Sequence, residues 1–235
     1  MRILVAGSSG GIGKALVSLL REHGHTVFTV SRAGEVGAAH CIADLTSPES
    51  VAQVSQFLNR VLPPKVSLDA VYCCAGILHT GWNMPEKTLA QMSADWLQQS
   101  MAVNVLSHVH LAQAIAPLVT RSQPLRWLSL SAMVGSATDN GLGGWYSYRM
   151  SKAALNMFVK NLSIEWGRKS PQSVVVAVHP GTTDTLLSQP FQAGIAEGKL
   201  YTPEQSAERM VAVMEGLKPA QNGHLLHWDG SVLPF

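Results

Sequence analysis

Short apolar runs alternate along the chain with longer segments whose apolar residues recur at helical spacing. The runs 3–5 and 174–178 are apolar throughout, as expected for strands that helices cover on both faces. The pattern predicts strands at 2–6, 26–30, 40–43, 68–73, 125–131, 173–178 and 224–227. It predicts helices at 12–22, 48–61, 93–118, 146–167 and 203–217. This alternation indicates an α/β fold with one Rossmann-type, doubly wound parallel sheet, flanked by helices on both faces.

Three long stretches without regular periodicity follow the fourth, fifth and sixth predicted strands, at 78–88, 133–145 and 182–202. Loops that follow parallel strands lie beyond the carboxyl ends of the sheet, where such folds bind ligands. The sequence has no linker-like segment, low-complexity segment or internal repeat. We therefore expect residues 1–235 to form a single dinucleotide-binding domain with a substrate loop at about 182–202.

Composition narrows the classes of partner. Apolar residues make up 46% of the chain and charged residues 14%, a low charged fraction that suggests burial of some surface against other subunits. The net charge of +2 gives no reason to expect nucleic acid or an acidic membrane as a partner. The apolar run at the amino end is too short for a secretory core, and the longest runs are strand-sized. Three cysteines, two of them adjacent, indicate no disulfide framework, and we expect a reduced, cytoplasmic protein.

The first predicted strand continues directly into a glycine-rich turn. Gly7, Gly11 and Gly13 let the backbone approach a pyrophosphate, and the helix that follows favours negative charge at its amino end. A flexible turn without a ligand is the alternative, but the strand–turn–helix context favours a dinucleotide site. The residues assigned to this part of the site are Gly7, Ser9, Gly10, Gly11, Ile12 and Gly13.

The end of the second strand distinguishes NAD from NADP. An acid at this point binds the adenosine 2′-hydroxyl, whereas an arginine accommodates a 2′-phosphate. Here the residues are Ser31 and Arg32, with no acid before Glu35. A guanidinium binds phosphate through two hydrogen bonds, so NADP(H) is favoured over NAD(H). The alternative is that Arg32 is a solvated loop residue.

Further contacts to the cofactor are expected after the next two strands. Asp44, followed by Leu45, could hydrogen-bond the adenine amino group or cap the helix that follows. Ala75 and Gly76 offer bare backbone to the ribose.

A tyrosine and a lysine stand four residues apart on the helix predicted at 146–167. Tyr148 and Lys152 therefore share one helix face, at roughly 5–6 Å between Cβ atoms. The pKa of a free tyrosine is about 10, and a nearby cation is expected to lower it, so Tyr148 is a candidate proton donor to a carbonyl oxygen. Tyr146 has Met150 at the same spacing and cannot use this mechanism. Together with the glycine turn upstream, the pair indicates an oxidoreductase.

These residues, in this order, resemble the short-chain dehydrogenase/reductase family over essentially the full chain. The matching segments are Gly7 to Gly13, Asp44, Cys74-Ala75-Gly76, Asn104, Ser131, Tyr148, Lys152 and Pro180 to Thr185. The string 143–149 resembles the C-factor-like branch, close to carbonyl reductases of the sniffer type.

The resemblance implies roles for several of these residues. Ser131 would hydrogen-bond the substrate oxygen, and Asn104 would hold a water that links Lys152 to solvent. The nicotinamide and pyrophosphate would contact a loop after the sixth strand, through Pro180, Gly181, Thr183 and Thr185. The helices around Asn104 and Tyr148 pair between subunits in this family, so a homodimer or homotetramer is expected, although ordinary packing against the sheet would also explain their apolar residues.

Two departures from the family pattern stand out. Cys73 occupies a position where asparagine is usual, which would alter the support beneath the cofactor. Ser131 lies 17 residues before Tyr148, a longer separation than is usual, and this leaves Ser136 as a rival for the serine. Ser131 is preferred because it ends a strand, a rigid position.

The expected substrate pocket is apolar, and this favours a hydrophobic aldehyde or ketone, or the corresponding alcohol, as the small-molecule partner. The segment 185–199 is a candidate lid. The residues expected to line the pocket are Leu78, Met133, Trp145, Leu186, Leu187 and Phe191.

An NADP(H)-dependent carbonyl reductase is the leading hypothesis. A cofactor-binding regulatory or signalling protein with incidental catalysis is the second. An epimerase or dehydratase is a third, for whose nucleotide-sugar contacts the short carboxyl end leaves little room. No metal site is expected, because His108 and His110 point to different helix faces and no Cys-x-x-Cys occurs.

Overall fold

The structure is a computed structural model that describes residues 1–34 and 37–235. Its strands are β1 Arg2–Ala6, β2 Thr26–Ser31, β3 His40–Ile42, β4 Ala70–Cys73, β5 Arg126–Leu130, β6 Val174–His179, β7 Thr182–Thr183, β8 Leu200–Tyr201, β9 Leu225–His227 and β10 Val232–Leu233. Its helices are α1 Gly11–Glu22, α2 Glu49–Val61, α3 Ala94–Met101, α4 Ser107–Ile115, α5 Tyr146–Lys169 and α6 Pro203–Gly216.

Within the described residues, eight of these strands form one sheet in the order β3-β2-β1-β4-β5-β6-β9-β10. Neighbouring strands are parallel except β10, which runs antiparallel to β9. The chain order reverses between β1 and β4, which lie side by side. A reversal of this kind opens a crevice at the carboxyl ends of the two strands.

Side chains of the central strands alternate between two apolar layers, as the period of a strand requires. Leu4 and Ala6 face the layer formed with α2, α4 and α5. Ile3 and Val5 face the opposite layer, formed with α1 and α6. Both faces of the sheet are thus covered by helices, and the predicted doubly wound fold is confirmed.

The helix predicted at 93–118 is interrupted in its middle. A single π-helical turn, Ala102–Leu106, joins α3 to α4 and carries Asn104. Turns of this type insert one residue into a helix and often occur at functional sites. The helical segment Ala94–Leu118 is long enough and apolar enough to cross a membrane. The sequence alone does not predict this, because the uninterrupted apolar runs in the chain are only strand-sized. Half of its most apolar 18-residue stretch is buried inside the protein, so the segment also has the character of a core helix.

The three irregular stretches follow β4, β5 and β6 and lie beyond their carboxyl ends, as predicted. The small strands β7, β8 and β10 were not predicted. Strands β7 and β8 pair with each other, Thr182 with Leu200 and Thr183 with Tyr201. This pairing closes the base of the segment between them, which contains the candidate lid.

Candidate active site

A cleft of about 930 Å³ opens at the carboxyl ends of β1, β4, β5 and β6. Most of the predicted site residues line it. They are Ser9, Gly10, Gly11, Ile12, Gly13, Arg32, Ala75, Gly76, Leu78, Ser131, Met133, Trp145, Tyr148, Lys152, Pro180, Gly181, Thr183, Thr185, Leu186, Leu187 and Phe191. The predicted residues that do not line it are Gly7, Ser31, Asp44, Leu45 and Asn104.

The glycine turn packs closely against the loop after β4. Gly7 has a φ of 74°, and a Cβ atom there would lie 2.8 Å from the backbone nitrogen of Ala75. A Cβ at Gly13 would meet the carbonyl oxygen of Gly7. Helix α1 then begins at Gly11 without a side-chain cap and without an acid in its first turn. Its first N–H groups have no partner within the helix, so the turn fits the pyrophosphate of a dinucleotide.

The adenosine end of the cleft is only partly as predicted. Arg32 is exposed and lines the cleft, whereas the buried Ser31 donates its hydroxyl to the carbonyl of Ala33. Glu35 lies outside the described residues. The Ser31 side chain therefore shapes the turn that presents Arg32.

Asp44 closes a turn before α2. Its carboxylate accepts hydrogen bonds from the Thr46 nitrogen at 3.0 Å and the Thr46 hydroxyl at 2.8 Å. These bonds, with a smaller effect of the Arg32 charge, lower the pKa of Asp44. Asp44 is not the cap of α2, because that helix begins at Glu49. Leu45 is buried in the core and outside the cleft, contrary to expectation.

Asn104 is fully buried and forms hydrogen bonds with the loop after β4. Its Oδ1 accepts from the Ile77 nitrogen at 2.7 Å, and its Nδ2 donates to the Ile77 carbonyl at 2.9 Å and to the Ser151 hydroxyl at 2.9 Å. A Cβ at Gly76 would lie 3.4 Å from Asn104 Oδ1 and 3.6 Å from Lys152 Nζ. Gly76 therefore stands between the two side chains, and the water that Asn104 is expected to hold stays a prediction.

His108, for which the sequence predicts no role in metal binding, contacts the same loop. Its Nε2 lies 3.1 Å from the Ala75 carbonyl, and its Nδ1 lies 3.0 Å from the Ser129 hydroxyl. The carbonyl can only accept, so Nε2 carries the proton. Burial lowers the pKa of His108 to about 3, and the Lys152 charge adds to the effect. Cys73 is buried at the end of β4, beneath the same loop. His108 and Asn104 therefore supply the side-chain hydrogen bonds that hold this loop.

Tyr148 and Lys152 lie on the same face of α5, as predicted. Lys152 Nζ is 5.7 Å from the Tyr148 ring centroid and donates to the Leu130 carbonyl at 2.9 Å. Burial lowers the pKa of Lys152 to about 8. Burial raises the pKa of Tyr148 above its ordinary value. The expectation that Lys152 lowers this pKa is wrong for this structure, because the desolvation of the buried phenol dominates.

Ser131 lines the cleft, but its hydroxyl is directed elsewhere. It donates to Asn156 Oδ1 at 2.7 Å. The neighbouring residue, Ala132, packs with Leu78 and Tyr148. The rival Ser136 is buried away from the cleft, and its oxygen accepts from the Asp139 nitrogen at 3.1 Å. A hydroxyl has one proton to donate, so Ser131 would have to leave Asn156 to donate to a substrate oxygen.

Apolar side chains form the outer wall of the cleft. The Trp145 ring lies 6.3 Å from that of Tyr148 and 5.0 Å from that of Phe191. His79, not predicted as a site residue, contacts the Leu186 carbonyl at 3.0 Å and the edge of Phe191. The loop after β4 thereby touches the candidate lid.

The family model described as short chain dehydrogenase matches residues 1–196. The chain belongs to the short-chain dehydrogenase family. The 1-hydroxy-2-glutathionyl-2-methyl-3-butene dehydrogenase of Rhodococcus sp. (strain AD45) is 30% identical over 239 residues, which cover 99% of both chains. The C-signal of Myxococcus xanthus is 30% identical over 139 residues, which cover 59% of this chain and 78% of that protein.

Solved structures agree with the fold. The carbonyl reductase Sniffer of D. melanogaster superposes with a TM-score of 0.84 at 23% identity, over 100% of this chain and 99% of that one. The NADPH-bound carbonyl reductase from chicken fatty liver gives a TM-score of 0.83 at 23% identity, over 100% and 98%. The resemblance to C-factor-like and sniffer-type members of the short-chain dehydrogenases is confirmed by these matches.

Proposed function

We propose that the chain is an NADP(H)-dependent carbonyl reductase that interconverts a hydrophobic aldehyde or ketone with its alcohol. The observation that carries the proposal is the placement of Tyr148 and Lys152 between the glycine turn and the apolar wall of one cleft. Members of this family use nicotinamide cofactors, and NADPH is bound in one of the similar structures.

When bound, NADPH supplies the hydride that adds to the carbonyl carbon. The α1 amino end holds the pyrophosphate, and Arg32 pairs with the 2′-phosphate. The last residue of β2 is Ser31 and not an acid. Among the residues that the structure describes, no carboxylate at the end of β2 would repel that phosphate. The apolar wall admits the hydrophobic part of the substrate and excludes water from it.

Tyr148 gives its proton to the oxygen that gains charge. Since burial raises its pKa, the phenol is protonated at neutral pH and has a proton to donate. Lys152, whose pKa is about 8, exchanges protons close to neutral pH and re-protonates the phenolate. Asn104 holds the loop after β4 through Ile77. Gly76, in the same loop, lies between Asn104 and Lys152.

We also infer a homodimer or homotetramer. Met150, Met157 and Ile164 are seven residues apart on α5 and about half exposed, at 48%, 61% and 45%. Leu106, in the π-helical turn between α3 and α4, is 42% exposed. A repeat of seven places these side chains on one helix face, which suits pairing with the same face of a second copy.

Cofactor titration tests the proposal first. Nicotinamide fluorescence is followed as NADPH or NADH is added to wild type and to Arg32→Ala. We expect wild type to prefer NADPH, and Arg32→Ala to lose about tenfold or more of that preference, because a charge-assisted phosphate contact is worth about 1.5–3 kcal/mol. A screen of apolar aldehydes and ketones then measures NADPH oxidation together with the alcohol formed.

A second candidate, a cofactor-binding signalling protein, is favoured by the match to C-signal. It predicts tight NADPH binding without turnover of any carbonyl in the screen. Binding of neither nucleotide would contradict both candidates.

A further inference from the structure

The first turn of α5 has no cap of its own. Trp145 precedes it with a φ of 50° and contributes no side-chain hydrogen bond, and Gly143 and Gly144 are also left-handed, with φ of 65° and 64°. The helix therefore begins at Tyr146 directly after a turn, and its first N–H groups need acceptors from elsewhere. Tyr148 is the third residue of the helix, so its position depends on how the first helical turn is fixed.

Glu86, from the loop after β4, supplies acceptors to two of the N–H groups at this end of the helix, those of Trp145 and Ser147. Only 2% of it is exposed. Its carboxylate accepts from the Ser147 nitrogen at 3.2 Å and from the Ser147 hydroxyl, while its carbonyl accepts from the Trp145 nitrogen. A Cβ at Gly144 would lie 3.4 Å from that carbonyl, so the turn closes tightly around Glu86.

The chemistry of these contacts suits a fixed anion. A carboxylate at a helix amino end is stabilised by the N–H groups that point at it and by the helix dipole. A buried charge held by several hydrogen bonds has little freedom to move, since each lost bond leaves a desolvated group without a partner.

We propose that Glu86 is a positioning residue for Tyr148 and Trp145, an inference that rests on the proposed function. The residues that Glu86 binds, Trp145 and Ser147, stand on either side of Tyr146, and Ser147 directly precedes Tyr148. Trp145 in turn packs against Tyr148 and Phe191. Glu86 thus holds both the proton donor and the apolar wall at their places in the cleft.

Glu86→Ala and Glu86→Gln test this, with Glu165→Ala as the control, an exposed glutamate near the other end of α5. Misplacement of a reacting group by about 1 Å can cost about 100-fold, so Glu86→Ala should lower kcat by about 10- to 100-fold. Its affinity for NADPH should stay within about twofold, because the glycine turn is untouched. Glu86→Gln keeps an acceptor and should recover most of kcat, and Glu165→Ala should match wild type.

Two further readouts separate positioning from general stability. With NADPH deuterated at the transferred position, Glu86→Ala should show a larger kinetic isotope effect than wild type, since a misaligned chemical step becomes rate-limiting. Backbone amides of 147–149 should exchange with deuterium faster in Glu86→Ala, while those at the far end of α5 should not. If Glu86→Ala does not fold, Ser147→Ala, which removes only the hydroxyl contact, should lower kcat in the same direction.

Wild-type kcat and isotope effect in Glu86→Ala, or in Ser147→Ala where that variant replaces it, would overturn the inference. Failure of the proposed function is distinguishable, because wild type itself would then turn over no carbonyl. The amide exchange at 147–149 would still show whether Glu86 holds the turn.

Discussion

At the scale of single residues, Ser131 and Ala132, the two residues that follow β5, differ in what their side chains contact. The Ser131 hydroxyl bonds to Asn156, whereas the methyl group of Ala132 packs against Tyr148. In the function that we propose, Tyr148 is therefore the hydroxyl that the apolar wall presents to a carbonyl oxygen. Asn156 also donates to the Gly135 carbonyl at 3.3 Å, so Ser131 takes part in fixing the turn after β5 onto α5.

Ser131→Ala tests this assignment. Loss of the bond leaves Asn156 Oδ1 buried without its partner, and we expect the free energy of unfolding to fall by about 1–3 kcal/mol. We expect kcat/KM to change less than about threefold. Denaturant unfolding and steady-state kinetics measure the two effects. Ala132→Ser is the matched variant, because it puts a hydroxyl beside Tyr148, and it should raise kcat.

A fall of about 100-fold in kcat without a change in stability would instead make Ser131 the donor to the substrate, since removal of such a donor costs this much in a well-studied case.

The identities of Tyr148 and Lys152 were predictable, because their spacing on one helix is a local property. The raised pKa of Tyr148 was not, since it depends on burial by Leu78, Ala132 and Trp145, which come from distant segments. The partner of Ser131 was hidden for the same reason, as Asn156 is 25 residues away along the chain.

At the scale of elements, the helix pair α3–α4 shapes the cofactor side of the cleft. Its π-helical turn aims Asn104 at Ile77, and His108 reaches Ala75 from the next turn. The sequence predicted a continuous helix here, because the apolar pattern does not record one inserted residue. The pairing of β7 with β8 was missed because two-residue strands carry no periodicity of their own.

His108 makes stability depend on pH. Its pKa is about 3 in the folded state, below its ordinary value of 6.5, so the unfolded state binds the extra proton. The stabilisation is therefore present above about pH 6.5 and is lost as the pH falls toward 3, with a slope of at most about 1.4 kcal/mol per pH unit.

His108→Gln cannot take up this proton, and we expect its unfolding free energy to change less between pH 6.5 and 4.5 than that of wild type. Urea unfolding at several pH values measures the difference. Parallel slopes for the two proteins would show that His108 does not take up the proton.

At the scale of the whole molecule, the sheet order brings four loops to one edge, and the sequence predicted this arrangement from strand–helix alternation. The cleft that we propose for cofactor and substrate lies at the predicted edge of the sheet, because its loops follow the carboxyl ends of identifiable strands. The assembly of copies was harder to predict, since apolar residues on a helix can face either the sheet or another subunit. Met157 is 61% exposed in the single chain and so does not pack against the sheet, which supports the assembly that we propose.

Met157→Glu should weaken assembly without unfolding the chain, because it places a charge on the α5 face inferred to pair. Light scattering after size exclusion should show a smaller species at low concentration. Leu89→Glu, at a residue 69% exposed in the short turn 89–91 and outside the α5 face inferred to pair, is the control and should keep the wild-type mass. A wild type that is monomeric at all concentrations would contradict the inferred assembly.

In the proposed function, Tyr148 donates the proton in an NADPH-dependent reduction. The most direct measurement compares NADPH binding and single-turnover aldehyde reduction in wild type and Tyr148→Phe. We expect equal NADPH affinity and a loss of about 100- to 10,000-fold in the rate of reduction, the usual contribution of a general acid. Reduction by Tyr148→Phe at the wild-type rate, with NADPH still bound, would contradict it.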